Sequence, residues 1–290
     1  MTQHRIVARV VPPIVVTVAL AVVTACSFSG ASEDRSEETR GASHRADAAS
    51  VAALRAAEDA IDRAGSARIA STTAMGDTLS MKTDGALGWA GASTGKLVLT
   101  YTGGQLAETM RELSGTSMEA RLLPDAYYAK VGDKFAARMH GKHWVKYAYN
   151  DLESLPGGSG TYLKDQLQNT APVQPVKLLL ASGDVRKVGE EKVRGEHTTH
   201  YSGTVRVADL KGADALKEQL QQAGVTSETV DLWVGDDDLL VKKVEKGELV
   251  SGSMSSTAYY SDYGVEVSAE VPPAGDTADF KDLMPTKPAT

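Results

Sequence analysis

Ser93 sits in the one pattern of this chain that could carry a nucleophile, Gly91-Ala92-Ser93-Thr94-Gly95. A G-x-S-x-G serine acts when a strand leads into it and a helix leads away, because that sharp turn lifts its hydroxyl clear of the sheet. Here Thr78–Trp89 reads as a strand before it and Lys96–Tyr101 as a strand after it, so a glycine-rich hairpin turn is expected. Gly157-Gly158-Ser159-Gly160-Thr161 misses the pattern at Thr161. His140 and His143 flank Gly141-Lys142 in an expected loop. His197 and His200 lie three apart in an expected strand and so point to opposite faces. Neither pair has the cysteines or carboxylates that a zinc site gathers. Asp236-Asp237-Asp238 has the charge of a calcium loop but not its alternating ligands and glycine. H-E-x-x-H and G-x-x-x-x-G-K-[ST] do not occur, and the scattered acids single out no acid–base pair. The residues therefore predict no catalytic site, no metal and no cofactor, and a protein that is not an enzyme.

The remaining reactive side chain is Cys26, the only cysteine. A basic start with Arg5 and Arg9, an apolar run Ile14 to Val23 and small residues lead to it, in the order Val23-Thr24-Ala25-Cys26. This is the order of a bacterial lipoprotein precursor, with Val where Leu is commonest in the lipobox. Cleavage between Ala25 and Cys26 is expected, with a diacylglyceryl group on the thiol. A membrane-spanning helix needs about 20 apolar residues. The run here is about half that, contains Thr17 and follows Pro12-Pro13. An ordinary secretory signal with cleavage near Thr24-Ala25 is the alternative. The expected location is the outer face of the cytoplasmic membrane, held by the lipid on Cys26.

The 290-residue chain has a net charge of −7, and loss of Arg5 and Arg9 with residues 1–25 takes −7 to −9. That balance does not suit nucleic acid. With Cys26 acylated, no internal disulfide forms, and packing alone must hold the fold. Residues 26–48, after the cysteine, are rich in Ser, Gly, Ala, Asp, Glu and Arg. They cannot bury enough surface to offset the entropy of ordering, and read as a tether with a reach of roughly 25 Å.

Residues 49–284 read as one domain and 285–290 as a disordered tail. Val51, Leu54, Ala57, Ile61 and Ala64 form one helical stripe, with Asp47 or Ser50 to cap it and Gly65 to end it. The period then changes to two. Strands are expected over 67–74, 78–89, 96–101, 117–123, 127–131 and 143–147, separated by turn residues. Short helices are expected over 162–168 and 175–182. Strands resume over 185–188, 197–207, 228–234, 239–246, 254–261 and 265–270. A helix over 213–223 interrupts them, and a helical turn over 277–283 follows. Short links between neighbouring runs imply antiparallel pairing. So many strands predict an α+β fold whose large antiparallel sheet curls toward a half-barrel.

Four motifs in this order resemble a known family. They are the helix and strand Ala52–Ile69; Gly195-Glu196-His197-Thr198-Thr199-His200-Tyr201-Ser202-Gly203-Thr204-Val205 before Asp209-Leu210; Val230-Asp231-Leu232-Trp233-Val234-Gly235-Asp236 with Leu239–Val244; and Asp262-Tyr263-Gly264-Val265-Glu266-Val267 with Val271-Pro272-Pro273. Together they are similar to the LppX/LprG-type lipoproteins of the LolA-like superfamily. The third is the most specific, with Leu-Trp-Val leading through an acidic turn into a basic strand. Pro156–Gly183 matches only in outline. The resemblance implies a half-barrel with helices across its concave face, and a cavity between them that takes lipid or another hydrophobic ligand.

Leu97, Leu99, Tyr101, Val205, Val207, Val230, Leu232 and Val234 make one alternating apolar set. These side chains either line such a cavity or form ordinary core beneath the helices, since alternation identifies a buried face and not a hollow one. The leading expectation is a membrane-anchored lipoprotein that binds an acylated or other hydrophobic ligand, acting as an envelope lipid carrier. The alternative is an envelope sensor or protein-interaction module on the same fold, with a protein partner in place of lipid.

Overall fold

The computed structural model describes residues 47–153, 164, 171–210, 214–222, 224–249 and 252–283. Cys26, the tether up to residue 46, all of the expected helix over 162–168 except residue 164, and the tail after 283 lie outside them.

Helix α1 (Ala48–Ala64) begins where Asp47 accepts hydrogen bonds from the N–H groups of Ala49 and Ser50, and ends at Gly65 with φ 69°. A left-handed residue after the last turn suits glycine, which has no Cβ to clash. The chain then forms β1 (Ser66–Met75), β2 (Leu79–Gly88), β3 (Thr94–Gly103), helix α2 (Gln105–Ser114), β4 (Ser117–Leu122) and β5 (Ala126–Lys130). Helix α3 (Asp133–Ala136), β6 (Trp144–Ala148), helix α4 (Tyr149–Glu153) and helix α5 (Val173–Ser182) follow. Next come β7 (Arg186–Val193), β8 (Glu196–Arg206), helix α6 (Asp214–Gln222), β9 (Val225–Gly235), β10 (Leu240–Leu249) and β11 (Gly252–Ser261). The last elements are β12 (Thr277–Asp279) and helix α7 (Phe280–Leu283).

All twelve strands join one open, curled sheet in the order β12-β6-β5-β4-β3-β2-β1-β11-β10-β9-β8-β7. Two meanders, β1 to β6 and β7 to β11, meet where β1 pairs with β11 through Arg68–Met75. Every pairing is antiparallel except β12 with β6. Helices α1 and α5 pack on the concave face, over β8 and β9.

Two sequence expectations are corrected. Val265–Glu270 is not a strand. The chain leaves β11 in the middle of the sheet and must reach β12 at the far edge, so this segment crosses the convex face as a strap. Ser66 Oγ donates to Val265 O at 2.6 Å, and Arg121 Nη1 to Glu270 O at 2.8 Å. Ala269 packs against Tyr128 and Trp144, and Val271-Pro272-Pro273 supplies too few N–H groups for a ladder. The expected helical turn over 277–283 is half right: Thr277–Asp279 pairs with β6, and only Phe280–Leu283 is helical. Helix α2 was not anticipated, although Ala107 and Met110 share its inner side.

Candidate functional site

Strand register defines which side chains share the concave face. Leu97 lies between Gly85 and Ala120, Leu99 between Thr83 and Met118, and Tyr101 opposite Met81. On the other half of the sheet, Leu232 lies between Tyr201 and Lys243, and Val230 between Gly203 and Glu245. The eight sequence-derived candidates thus fall into two groups, separated by β10, β11, β1 and β2.

The first group is packed. Val205, Val230 and Leu232 are fully buried, and Val234 nearly so. They pack with Leu54 and Ile61 of α1 and with Val176 and Leu179 of α5. Gly203 makes this contact possible. A Cβ there would stand 1.7 Å from Asp184 O and 2.6 Å from a Leu179 methyl. Val207 is buried too, in a short turn just past β8.

The second group faces a looser region. Tyr101, Ala107, Met118 and Ala129 are buried, while Leu79, Met81, Leu99, Met110, Tyr127 and Tyr147 around them are only partly covered. Leu97 is half-buried on the same face. Three methionines here give an unbranched, polarizable surface that adapts to what it meets. Burial pushes the Tyr101 phenol up to about 12, with Tyr147 adding to the shift. Burial also raises Tyr127 and Tyr147, so these phenols are neutral at neutral pH. Tyr101 Oη donates to Met118 Sδ at 3.8 Å.

Between the two groups lies an island of charge that the sequence reading missed. Lys243 Nζ is 2.5 Å from Glu245 Oε2, and Glu228 beside them is 4 % exposed. Burial, then the like charge of Glu245, pushes Glu228 up to about 7, against the opposing pull of Lys243. Burial opposes the charge of Lys243, but Glu245 together with Tyr260 and Glu228 more than offsets it and holds Lys243 above its ordinary value. The signal was hidden by a β-bulge. The register slips between Leu240 and Lys242, so Leu240 and Lys243 both turn inward. Plain alternation from Leu240 would send Lys243 outward.

The other candidate chemical groups lie elsewhere. Ser93 ends the turn between β2 and β3, and a strand follows it, as the hairpin reading expected. A shallow cavity of about 180 Å³ there is lined by Gly91, Ala92, Ser93, Pro124 and Tyr149. His197 Nδ1 and Asp236 Oδ1 are 2.8 Å apart near the β8–β9 end, and hydrogen bonding to Asp236 raises the imidazole. His200 lies on the convex face, stacked on Trp233 at 4.2 Å and 2.8 Å from Asp231. His143 reaches Asp276 at 2.8 Å, pinning the strap to β6, while His140 takes a left-handed turn conformation. Among the described residues no three His, Cys, Asp or Glu side chains gather as metal ligands. No helix among them is long and apolar enough to cross a membrane.

No family model matches the chain. It is 52 % identical over 290 residues to the Streptomyces coelicolor protein named "Putative lipoprotein SCO4650", covering 95 % of this chain and 96 % of that one. Two solved structures share the fold. The Mycobacterium tuberculosis lipoprotein LppX superposes with a TM-score of 0.50 at 18 % identity, over 78 % of this chain and 100 % of that one. LprF from Mycobacterium bovis gives 0.50 at 18 %, over 79 % and 99 %. The long sequence match and the shared sheet architecture agree: the chain belongs to the family of that Streptomyces coelicolor protein, and its sheet has the fold of LppX and LprF.

Proposed function

We propose that this protein is anchored by a lipid on Cys26 to the outer face of the cytoplasmic membrane and binds an acyl-bearing ligand on the concave face of its sheet. One observation carries the reading: that face is unevenly filled. Under α1 and α5 it is a packed core of fully buried Val and Leu side chains. Over β2 to β6, Tyr101 and Met118 are buried but Leu79, Met81, Leu99, Met110, Tyr127 and Tyr147 around them are only partly covered. A surface of that chemistry gains roughly 25 cal/mol per Å² when an apolar chain covers it. Of the eight candidates, the partly covered Leu97 and Leu99 therefore contact ligand, over the buried Tyr101 ring. Val205, Val207, Val230, Leu232 and Val234 hold the framework that keeps the sheet curved. The anchor keeps the domain near its source of ligand while the tether lets it turn.

The test is chemical. Residues 26–290 carrying Cys26→Ser, secreted by an actinobacterial host, are extracted with organic solvent and the extract analysed by mass spectrometry. The account expects an acylated compound in near-stoichiometric amount. An extract without one, together with failure of the protein to take up added acyl probes, would overturn it.

A further inference from the structure

Register carries the charged island into the looser region. One row of concave-face residues runs Glu245, Ser256, Thr73, Met81, Tyr101 across β10, β11, β1, β2 and β3. The row beside it runs Glu228, Gly247, Met254, Met75, Leu79. From β10 to β3 are four strand spacings, about 19 Å, comparable to a long fatty chain. The middle of each row is Thr, Ser or Met and only partly buried.

The island is not charge-balanced. Two carboxylates, Glu228 and Glu245, share one ammonium, Lys243, and Lys243 already lies against Glu245. The remaining carboxylate is buried among Val205, Val230 and Gly247. Among the described residues, the elements packed around Glu228 bring no compensating cation. On β8, Arg206 falls on the opposite, convex parity from Val205, which faces Glu228. Helix α6 carries Asp214, Lys217 and Glu218, and Lys217 donates to Ala208 O at 3.0 Å. Gly247 leaves space next to Glu228. A Cβ there would lie 3.5 Å from the Met254 methyl, an ordinary contact with a flexible side chain.

We propose that Glu228, with the Lys243–Glu245 pair behind it, is the head-group site of the concave face, and that it takes the protonated amine of a cationic amphiphile whose chain lies along the rows toward Met81 and Tyr101. This rests on the hydrophobic-ligand reading above and adds the class of ligand. An ammonium donates to Glu228 and supplies the missing positive charge, and such charge-assisted bonds are the strong ones. An anionic head meets no free cation among the described residues here. A neutral head leaves Glu228 holding its proton and forms no ion pair with it.

The test uses residues 26–290 with Cys26→Ser, and dodecylamine, dodecanoate and dodecyl maltoside as probes in titration calorimetry. Dodecylamine binds about tenfold or more tighter than the other two, and releases a proton near pH 7 as Glu228 ionises, read from two buffers of different ionisation enthalpy. Glu228→Gln removes the preference and the proton release while keeping the binding of dodecyl maltoside. The proton measurement needs no variant, so it stands even if Glu228→Gln misfolds. Equal binding of all three probes, or amine binding without proton release, overturns the head-group site and leaves the hydrophobic-ligand reading standing. Failure of every probe to bind overturns both.

Discussion

Glu228 is an acid that folding makes harder to ionise, and this has a consequence for stability without any ligand. Its ordinary value is 4.5 and the fold raises it to about 7. Between those values the native state holds a proton that the unfolded chain has lost. Stability therefore falls as pH rises through this window, and below about 4.5 the group contributes nothing to the pH dependence. The full shift corresponds to at most about 3 kcal/mol, shared with the coupled Lys243 and Glu245. Urea unfolding between pH 5 and pH 8, followed by circular dichroism, should show this decline, and Glu228→Gln should flatten it. A wild-type curve that is level or rises over this range would contradict the burial of an uncompensated carboxylate. Residue-level reading from sequence stopped short here for a physical reason. Lys242-Lys243 gives no alternation to follow, and only the bulge after Leu240 decides which lysine turns inward.

At the scale of elements, the close approach of α5 to β8 is the contact most sensitive to a single atom. Gly203→Ala must displace the chain at Asp184 or push β8 off Leu179. Loss of this packing should cost about 2–4 kcal/mol, the range of disturbed cores. It should also lower the midpoint of a thermal melt by several degrees. A melt equal to wild type would show that α5 is not braced there. Most strands were legible because they alternate and end in Gly or Asp turns. Residues 94–103 and 225–235 are examples, and Leu97, Leu99 and Tyr101 alternate onto one face of β3. Helix α1 was legible from its stripe and its two caps. Val265–Glu270 misled because it alternates like a strand while spending its polar groups on side-chain contacts across the convex face. Nothing local distinguishes a strap from a strand; the distance from β11 to the far edge decides it. For the site, sequence gave the apolar face but not its division into packed and loose halves. That division depends on which strands α1 and α5 cover, a tertiary fact.

For the whole molecule, one long open sheet leaves two edges to protect. Strand β7 presents Arg186, Lys187, Glu190, Glu191 and Lys192 to solvent, mostly exposed, and charged edge strands resist pairing with another chain. The other edge is closed by β12, held at its start by His143 and Asp276. The anchor belongs to this scale too. Cys26→Ser should shift the protein from an acylated to an unacylated form, seen as loss of the detergent-phase fraction in phase separation. Persistence in the detergent phase with an unchanged mass would contradict lipidation at Cys26.

The central claim is that ligand lies over β2 to β6, apart from the packed core beneath α1 and α5. The most direct measurement compares binding of a fluorescent acyl probe to the unacylated 26–290 protein and to two variants. Leu99→Trp fills the looser region and should weaken binding by about tenfold or more. Leu232→Ala damages the packed core, at a stability cost of about 2–5 kcal/mol, and should leave affinity near wild type at temperatures where it is folded. The reverse pattern, with full binding in Leu99→Trp and lost binding in folded Leu232→Ala, would place the ligand beneath the helices and contradict the account.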